Sequence, residues 1–571
     1  MIETLAQTDL GNLPHIVMVC YLIMLLTLGV IGYLKSKNTE EDYYLAGRKQ
    51  GFIVSALTIM ATFFSSWAML GAPGMVYRDG VAFILFALNV PFSGSIVYLI
   101  GSRISRLGRA KGYVTPADLV TDYYGDSAFL RILVALVGFL YVLPYVVIQI
   151  RAGGHLAQQI FPDIKPMNIV GIEFNIFQMG SSVLAVITML YIIVGGMRSV
   201  AWTDVIQGGL LLAGMLIAGL ATVVALGGIG DYFNRVSTEL PKHALSVPGT
   251  SGTWTPWKMM TICMFASLGS MIQPAQWMRY YAARSVNALR RSALIFAVVL
   301  TGCFLFGVML VGLGGRVLYP PTEKVVTQQT IGDTHDSVEL KSKIEVTPHE
   351  KVKRNDQILV TVLNDHAPKM LGDTLAPILI SIILVAILAA SMSTADSNLH
   401  ALSGVLTRDV YDRFIRRDAS QSERTWVGRI LIVVVTLLAV WLVRVGDQNP
   451  EFKPLKMIVE MGLLAIAFST QLLPATIDIL FVRRASRIGI ICGILAGLAV
   501  VLMFTPVLSM MAGGTPGGDK LLGHVGDLKK LLDVGFCGLV VNTAVCIIIS
   551  LFTRKPDTER KQEFENIMRR M

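Results

Sequence analysis

Thirteen times along its 571 residues this chain runs apolar for roughly 20 positions or more. The runs fall at about 14–34, 51–77, 81–103, 129–158, 174–196, 203–228, 257–277, 293–318, 373–404, 427–445, 456–482, 487–512 and 533–553. A helix of that length matches the hydrocarbon layer of a bilayer, about 30 Å at roughly 1.5 Å per residue. Lipid offers no partner to a backbone N–H or C=O, so such segments must be helices that satisfy those groups internally. The short alternating runs of a membrane barrel are missing. Charge agrees, because 15% of residues are Asp, Glu, Lys or Arg, against about 25% in a soluble domain. The expectation is an all-α membrane protein of about 13 transmembrane helices.

A net charge of +10 would suggest a nucleic-acid partner if it were clustered. The basic residues instead occupy short loops between the runs. One loop holds Lys35, Lys37, Arg48 and Lys49, the next Arg103, Arg106, Arg109 and Lys111, and a third Arg198. Farther on come Arg279, Arg284, Arg290 and Arg291, then Arg408, Arg413, Arg416, Arg417 and Arg424, then Arg483, Arg484 and Arg487. The tail adds Arg554, Lys555, Arg560 and Lys561. These loops alternate with poorly basic ones, so the positive-inside rule places them in the cytoplasm. The N-terminus is then outside and the C-terminus cytoplasmic, with Arg444 and Lys453 on the wrong side. The expected location is the plasma or inner membrane, with the lipid bilayer as solvent, no nucleic acid and no obligate protein partner. Residues 1–15 carry Glu3 and Asp9 but no Lys or Arg, so they lack the positive region of a cleavable signal. The six cysteines lie inside apolar runs without metal-ligand spacing and read as small buried hydrophobes. No Walker loop, dinucleotide fingerprint or His/Cys cluster supports an enzyme.

Two runs are interrupted at mid-depth. The second contains Thr62-Phe63-Phe64-Ser65-Ser66-Trp67 followed by Gly71-Ala72-Pro73-Gly74. The seventh contains Ser267-Leu268-Gly269-Ser270 and then Gln273-Pro274. Such breaks free carbonyls and amides that can bind an ion or a solute. Either break alone is equally well a proline kink or serine-mediated packing. Two breaks five spans apart, at corresponding places in two five-helix halves, are the pattern of an inverted-repeat transporter. In the ninth run Ala390, Ser393 and Thr394 are spaced i, i+3 and i+4 and share one helix face. Hydroxyls and carbonyls can dehydrate sodium, a hard cation, without adding net charge. The same hydroxyls could instead bond back to the preceding turn.

Three stretches carry a resemblance to the sodium:solute symporter family. They are Ala389 to Tyr411, Gly195 to Gln207, and Gln273-Pro274 followed by Trp277-Met278-Arg279-Tyr280. The resemblance covers nearly the whole chain apart from 319–372 and the tail. It implies a leucine-transporter-type core, an inverted five-helix repeat with broken first and sixth core helices. The core would occupy runs two to eleven. Residues 1–50 would hold the extracytoplasmic N-terminus, the first helix and a cytoplasmic loop. The first repeat would be 51–228 and the second 229–485, with an extracytoplasmic insertion at 319–372. Two accessory helices would follow at 486–553, then a cytoplasmic tail at 554–571. The resemblance implies sodium as coupling ion, held by the carbonyls of Ala61, Phe64 and Ala390 and the hydroxyls of Ser393 and Thr394. Some members bind a second sodium at the carboxylate matching Asp204. Here that site would also draw on Ser393, Thr394, Asp396 and Ser397, with Asp396 standing where a hydroxyl is usual. Alternatively Asp204 caps its helix or pairs with a nearby arginine such as Arg198.

The resemblance also narrows the cargo. Sugar-transporting relatives place an acidic residue and a glutamine where Trp67 and Ala68 stand, and a glutamate near Ala87. A sugar is therefore disfavoured, although a sodium/sugar symporter stays as the alternative. Proline-transporting relatives share Ser65-x-Trp67 and a tyrosine matching Tyr145, but Ala266 and Ser270 replace their pocket aromatics. Sialic-acid relatives carry an arginine where Tyr145 stands. What remains is sodium-driven uptake, by alternating access, of a small organic solute such as a carboxylate or amino-acid-like compound. The pocket would draw on Ser65, Ser66, Trp67, Asn89, Tyr145, Ser270 and Gln273. Arg151, inside the fourth run, either snorkels outward or meets an anionic solute. A transporter-like sensor would need an output domain, for which the tail after Arg554 is too short. In the 319–372 insertion, Val338 to Val346 alternates as a hairpin strand would, and equally fits an unstructured loop.

Overall fold

The described part of each of the thirteen apolar runs lies on a helix in the computed structural model, which describes residues 13–569 except 38, 162–163, 170–171, 332–337, 449–457 and 504–531. We number these helices α1 (Leu13–Leu34), α2 (Phe52–Phe63 with Trp67–Asp79), α3 (Val81–Lys111) and α4 (Ala128–Gln158). Next come α5 (176–195) and α6 (197–225), the two arms of the 50-residue helix Ile176–Ala225. Then follow α7 (Pro256–Ile272 with Pro274–Ala282), α8 (Val286–Leu318), α9 (Thr374–Ile415) and α10 (Gln421–Gln448). The last are α11 (Met461–Val482), α12 (Arg487–Met503) and α13 (Val534–Phe552). By length and apolar character alone, nine helices among the described residues can cross a membrane, or ten with the bent α2. The difference from thirteen has a local cause in each case. α5 and α6 count as one helix. The break in α7 leaves pieces of 17 and 9 residues. The described part of α12 ends at Met503, so the remainder of the run to 512 lies outside the described residues.

The turn between α5 and α6 is made by Gly196, at φ 55° and ψ −152°. A β-carbon there would stand 2.7 Å from the Tyr43 ring and carbonyl, so only glycine fits. α2 bends by 62° at its break, where Phe64 leaves the helix at φ −89° and ψ 86°. α7 breaks at Gln273, whose φ of −68° and ψ of 154° are extended. Pro274 then opens the second piece, because a helix's first turn tolerates the missing N–H. The second piece of α7 packs on the first piece of α2. Arg279 Nε donates to the Thr58 carbonyl at 3.1 Å and Gln276 Nε2 to the Ile59 carbonyl at 3.4 Å.

The basic loops gather at one end of the bundle. Arg408 and Arg424 reach Glu40 at 3.1 and 3.3 Å, and Arg131 bridges Asp118 and Asp409 at 3.0 and 2.7 Å. The tail forms a helix, Thr558–Arg569, that docks at this end. Its Phe564 is fully buried, edge-on to Tyr123 at 5.1 Å. The opposite end carries the insertion, whose strands Thr322–Ile331 and Val338–Thr347 pair antiparallel from Thr322 against Thr347 to Ile331 against Val338. Of the two alternatives for Val338 to Val346, the hairpin is therefore the one adopted. α12 and α13 pack closely because Gly489, Gly493 and Gly497 present a bare face to Ser550, Cys546 and Asn542. Small residues four apart are the usual device for close helix approach in lipid.

Candidate functional site

The break in α2 faces the Ser-Thr turn of α9. Ser393 Oγ and Thr394 Oγ1 each donate to the Ala61 carbonyl at 3.1 Å, and to the Ala390 carbonyl at 3.3 and 3.2 Å. All four residues are fully buried, and so is Phe64. Four of the five expected sodium ligands thus converge at one point, with Phe64 at the adjoining break. Two neutral hydroxyls and two carbonyls, one released by a helix break, suit a small hard cation. No cluster of three His, Cys, Asp or Glu side chains suited to a metal occurs among the described residues.

One turn along α9 toward the basic end lies a charged cluster. Asp204 on α6 takes a salt bridge from Arg279 Nη2 at 2.9 Å, with both side chains completely buried. Arg279 also donates to Ser397 Oγ and to the Thr58 and Ala275 carbonyls. Asp396 accepts Tyr191 O–H at 2.7 Å and Ser397 O–H at 3.0 Å. The structure therefore brings Asp204, Asp396 and Ser397 together, as expected. It adds the guanidinium of Arg279, which the sequence placed in a cytoplasmic basic loop but which lies on the second piece of α7, fully buried in the bundle. Asp204 lies well inside the helix that begins after Gly196, so it is no N-cap; pairing with an arginine is the alternative the structure adopts, but the partner is Arg279, while Arg198 pairs with Asp42.

Beside the sodium ligands, between the two breaks, lies a small pocket of about 30 Å³ lined by Thr62, Trp67, Asn89, Tyr145, Ser270, Gln273 and Gln276 together with Phe86, Tyr141 and Phe304. Five of the seven expected pocket residues line it. Ser65 and Ser66 do not, because both turn toward α4. Ser65 Oγ shares a hydrogen bond of 3.4 Å with the Tyr145 hydroxyl, and Ser66 Oγ donates to Gln149 Oε1 at 2.7 Å. Gln273 acts on its own helix, its Oε1 accepting the Ala275 N–H at 2.8 Å. Arg151 lies outside the lining, over the Phe177 ring at 6.0 Å. Sequence reasoning missed Tyr141, Gln149 and Gln276. Tyr141 and Gln149 were findable, since they continue the Tyr145 face of α4 at four-residue spacing.

The lining has a specific chemistry. Trp67 Nε1, Asn89 Oδ1, Ser270 Oγ and Gln276 Oε1 are buried polar atoms with no hydrogen-bond partner. Buried polar atoms are ordinarily paired, at a cost of about 1–3 kcal/mol when they are not. One donor, two acceptors and one hydroxyl on lining residues are thus left for a ligand, in a cavity whose other walls include the rings of Phe63, Phe86, Tyr141, Tyr145 and Phe304. Among the described residues no charged side chain lines it.

The sequence model of the sodium:solute symporter family matches residues 43–497. The sodium/proline symporter of Escherichia coli K12 is 26% identical over 498 residues, covering 86% of this chain and 88% of its own. The high-affinity proline transporter PutP of Bacillus subtilis is 26% identical over 490 residues, covering 83% and 89%. Among solved structures, a sodium-coupled sialic acid symporter in a substrate-bound outward-open state superposes with a TM-score of 0.67 at 18% identity. It covers 96% of this chain and 100% of its own, and the likeness establishes the leucine-transporter-type fold. This chain is a multi-pass membrane transporter with sodium as its coupling ion, and it belongs to the sodium:solute symporter family.

Proposed function

We propose that the chain couples the entry of one sodium ion to uptake of a small, net-neutral, amino-acid-like solute bearing a carboxylate. The observation that carries this reading is the set of four unpartnered polar atoms in the pocket. Trp67 N–H and Ser270 O–H can donate to a carboxylate, while Asn89 Oδ1 and Gln276 Oε1 can accept from an ammonium group. The absence of a charged lining side chain favours a zwitterion over an anion or a cation. The proline-transporting relatives support an amino-acid-like cargo. A sugar is less well served, because no carboxylate is present to bind its hydroxyls.

The sodium ligands in this reading are the carbonyls of Ala61, Phe64 and Ala390 and the hydroxyls of Ser393 and Thr394. The Asp204, Asp396 and Ser397 cluster then needs no second sodium. Arg279 already supplies Asp204 with the positive charge that a second sodium would bring. The basic end is taken as cytoplasmic, with the N-terminus outside. One sodium moving through 100 mV contributes about 2.3 kcal/mol, enough for roughly fifty-fold accumulation. The test is a thermal-shift screen of the purified protein against amino acids and their N-methylated and cyclic analogues, with and without sodium. Proteoliposome uptake of the hits follows. The reading stands if stabilisation by a zwitterion requires sodium and one charge moves per solute. Stabilisation by sugars alone, or a ratio of two, would overturn it.

A further inference from the structure

Between α11 and α13 lies a groove of about 580 Å³, separate from the transport pocket. Its walls are apolar, with Leu473, Ile477 and Val482 on one side and Leu539, Ile547 and Leu551 on the other. Val482 and Leu551 are 52% and 71% exposed, so the groove opens on the surface that faces lipid. From Leu473 to Val482 the wall runs for about 14 Å at the helical rise. That is about half of the hydrocarbon layer, the depth of one leaflet.

The groove ends at the basic face of the molecule, where Arg484 and Lys555 line its mouth. Both side chains are exposed, and neither forms a hydrogen bond or ion pair among the described residues. The N-terminus of α12 opens beside them, its Gly489 N–H capped by Ser486 Oγ at 3.0 Å, and adds the positive end of a helix dipole. The acidic lining residue, Asp478, is already engaged. Its Oδ1 accepts the backbone N–H groups of Arg484 and Ala485 at 2.8 and 2.9 Å, and its Oδ2 accepts Tyr124 O–H at 2.7 Å. The mouth therefore offers two uncommitted cations and no free acceptor for a quaternary ammonium.

We propose that this groove holds one anionic phospholipid, an acyl chain along the α11 and α13 walls and the phosphate between Arg484 and Lys555. A leaflet-deep apolar slot that ends in basic residues is complementary to a lipid of that charge. Two basic residues at the strength typical of an anionic surface give a preference over a zwitterionic lipid of roughly 30-fold.

The test uses the full chain in detergent micelles, supplied in parallel with phosphatidylglycerol, phosphatidylcholine and inorganic phosphate, read by native mass spectrometry and melting temperature. One phosphatidylglycerol should be retained per chain at concentrations where phosphatidylcholine is lost. Arg484→Gln with Lys555→Gln should make the two lipids equivalent, and Thr543→Trp should exclude both by filling the slot. Lys555→Gln alone, at an exposed position, should give an intermediate preference if the double variant folds poorly. Equal retention of both lipids by the native protein would overturn the proposal. So would an unchanged preference in the variants, or a full stabilising effect from inorganic phosphate without lipid.

Discussion

Arg279→Met tests the charged cluster beneath the sodium ligands. In the native protein the guanidinium is completely buried and reaches Asp204 at 2.9 Å, with further hydrogen bonds to Ser397 and to two backbone carbonyls on α2 and α7. Methionine fills similar space but leaves the Asp204 carboxylate buried without its cation. Breaking one side of a buried pair costs about 3–5 kcal/mol. The Thr58 carbonyl keeps the Thr62 hydroxyl at 2.8 Å, so the expected loss is that of the broken pair alone, about 3–5 kcal/mol. Asp204→Asn alone should cost less, because the amide retains a hydrogen bond to Arg279. The combination Asp204→Leu with Arg279→Met should recover about 3 kcal/mol, since no charge is then stranded. The assay is a double-mutant cycle of unfolding free energies in mixed micelles at one denaturant range. A coupling energy within about 0.5 kcal/mol of zero would mean the two residues do not interact, and would refute both the pair and the one-sodium stoichiometry drawn from it.

Other perturbations separate the remaining parts of the scheme. Ser393→Ala with Thr394→Ala should abolish sodium-induced stabilisation, worth about 2.7 kcal/mol at a hundred times the native Kd; wild-type sodium dependence of melting in this variant would remove these hydroxyls from the site. Trp67→Phe and Gln276→Leu should raise the solute's apparent Km in uptake assays by roughly tenfold each, at about 1–1.5 kcal/mol per lost hydrogen bond, with sodium stabilisation unchanged. Phe564→Ala should release the tail helix, so limited proteolysis should trim the variant after 554 while the bundle melts as before. Burial alone would push the Asp118 carboxyl upward, but Arg408 and Arg131 outweigh it and hold it below the usual carboxylate range. Its contribution is present above the unfolded value of about 3.9 and is lost as pH falls below that. Melting temperature between pH 7 and 3 should therefore show an acid-side loss that is smaller in Asp118→Asn.

Much of this architecture was legible because its causes are local. Apolar runs long enough to cross lipid compel helix formation whatever their neighbours are, since the backbone must satisfy itself. The breaks at Phe64 and Gln273 follow from polar residues and from Pro274, which removes one donor within its own turn. Ser393 and Thr394 share a face with Ala390 by helical period alone. The hairpin was visible as alternation in Val338 to Val346, yet its pairing with Thr322–Ile331 was not, because register is settled between strands.

What depended on tertiary structure is the identity of each polar partner. Arg279 stood in a recognised motif, but 75 residues separate it from Asp204 in sequence, and only the crossing of α7 with α6 joins them. Ser65 and Ser66 sit in the broken segment where pocket residues belong, yet the approach of α4 turns them toward Tyr145 and Gln149. Gln276 enters the pocket for the converse reason, because the second piece of α7 folds back on α2. Spacing along one helix fixes which face a side chain occupies. What that face meets is decided by how helices distant in sequence cross, and a buried polar group bonds to whatever that crossing brings within about 3 Å.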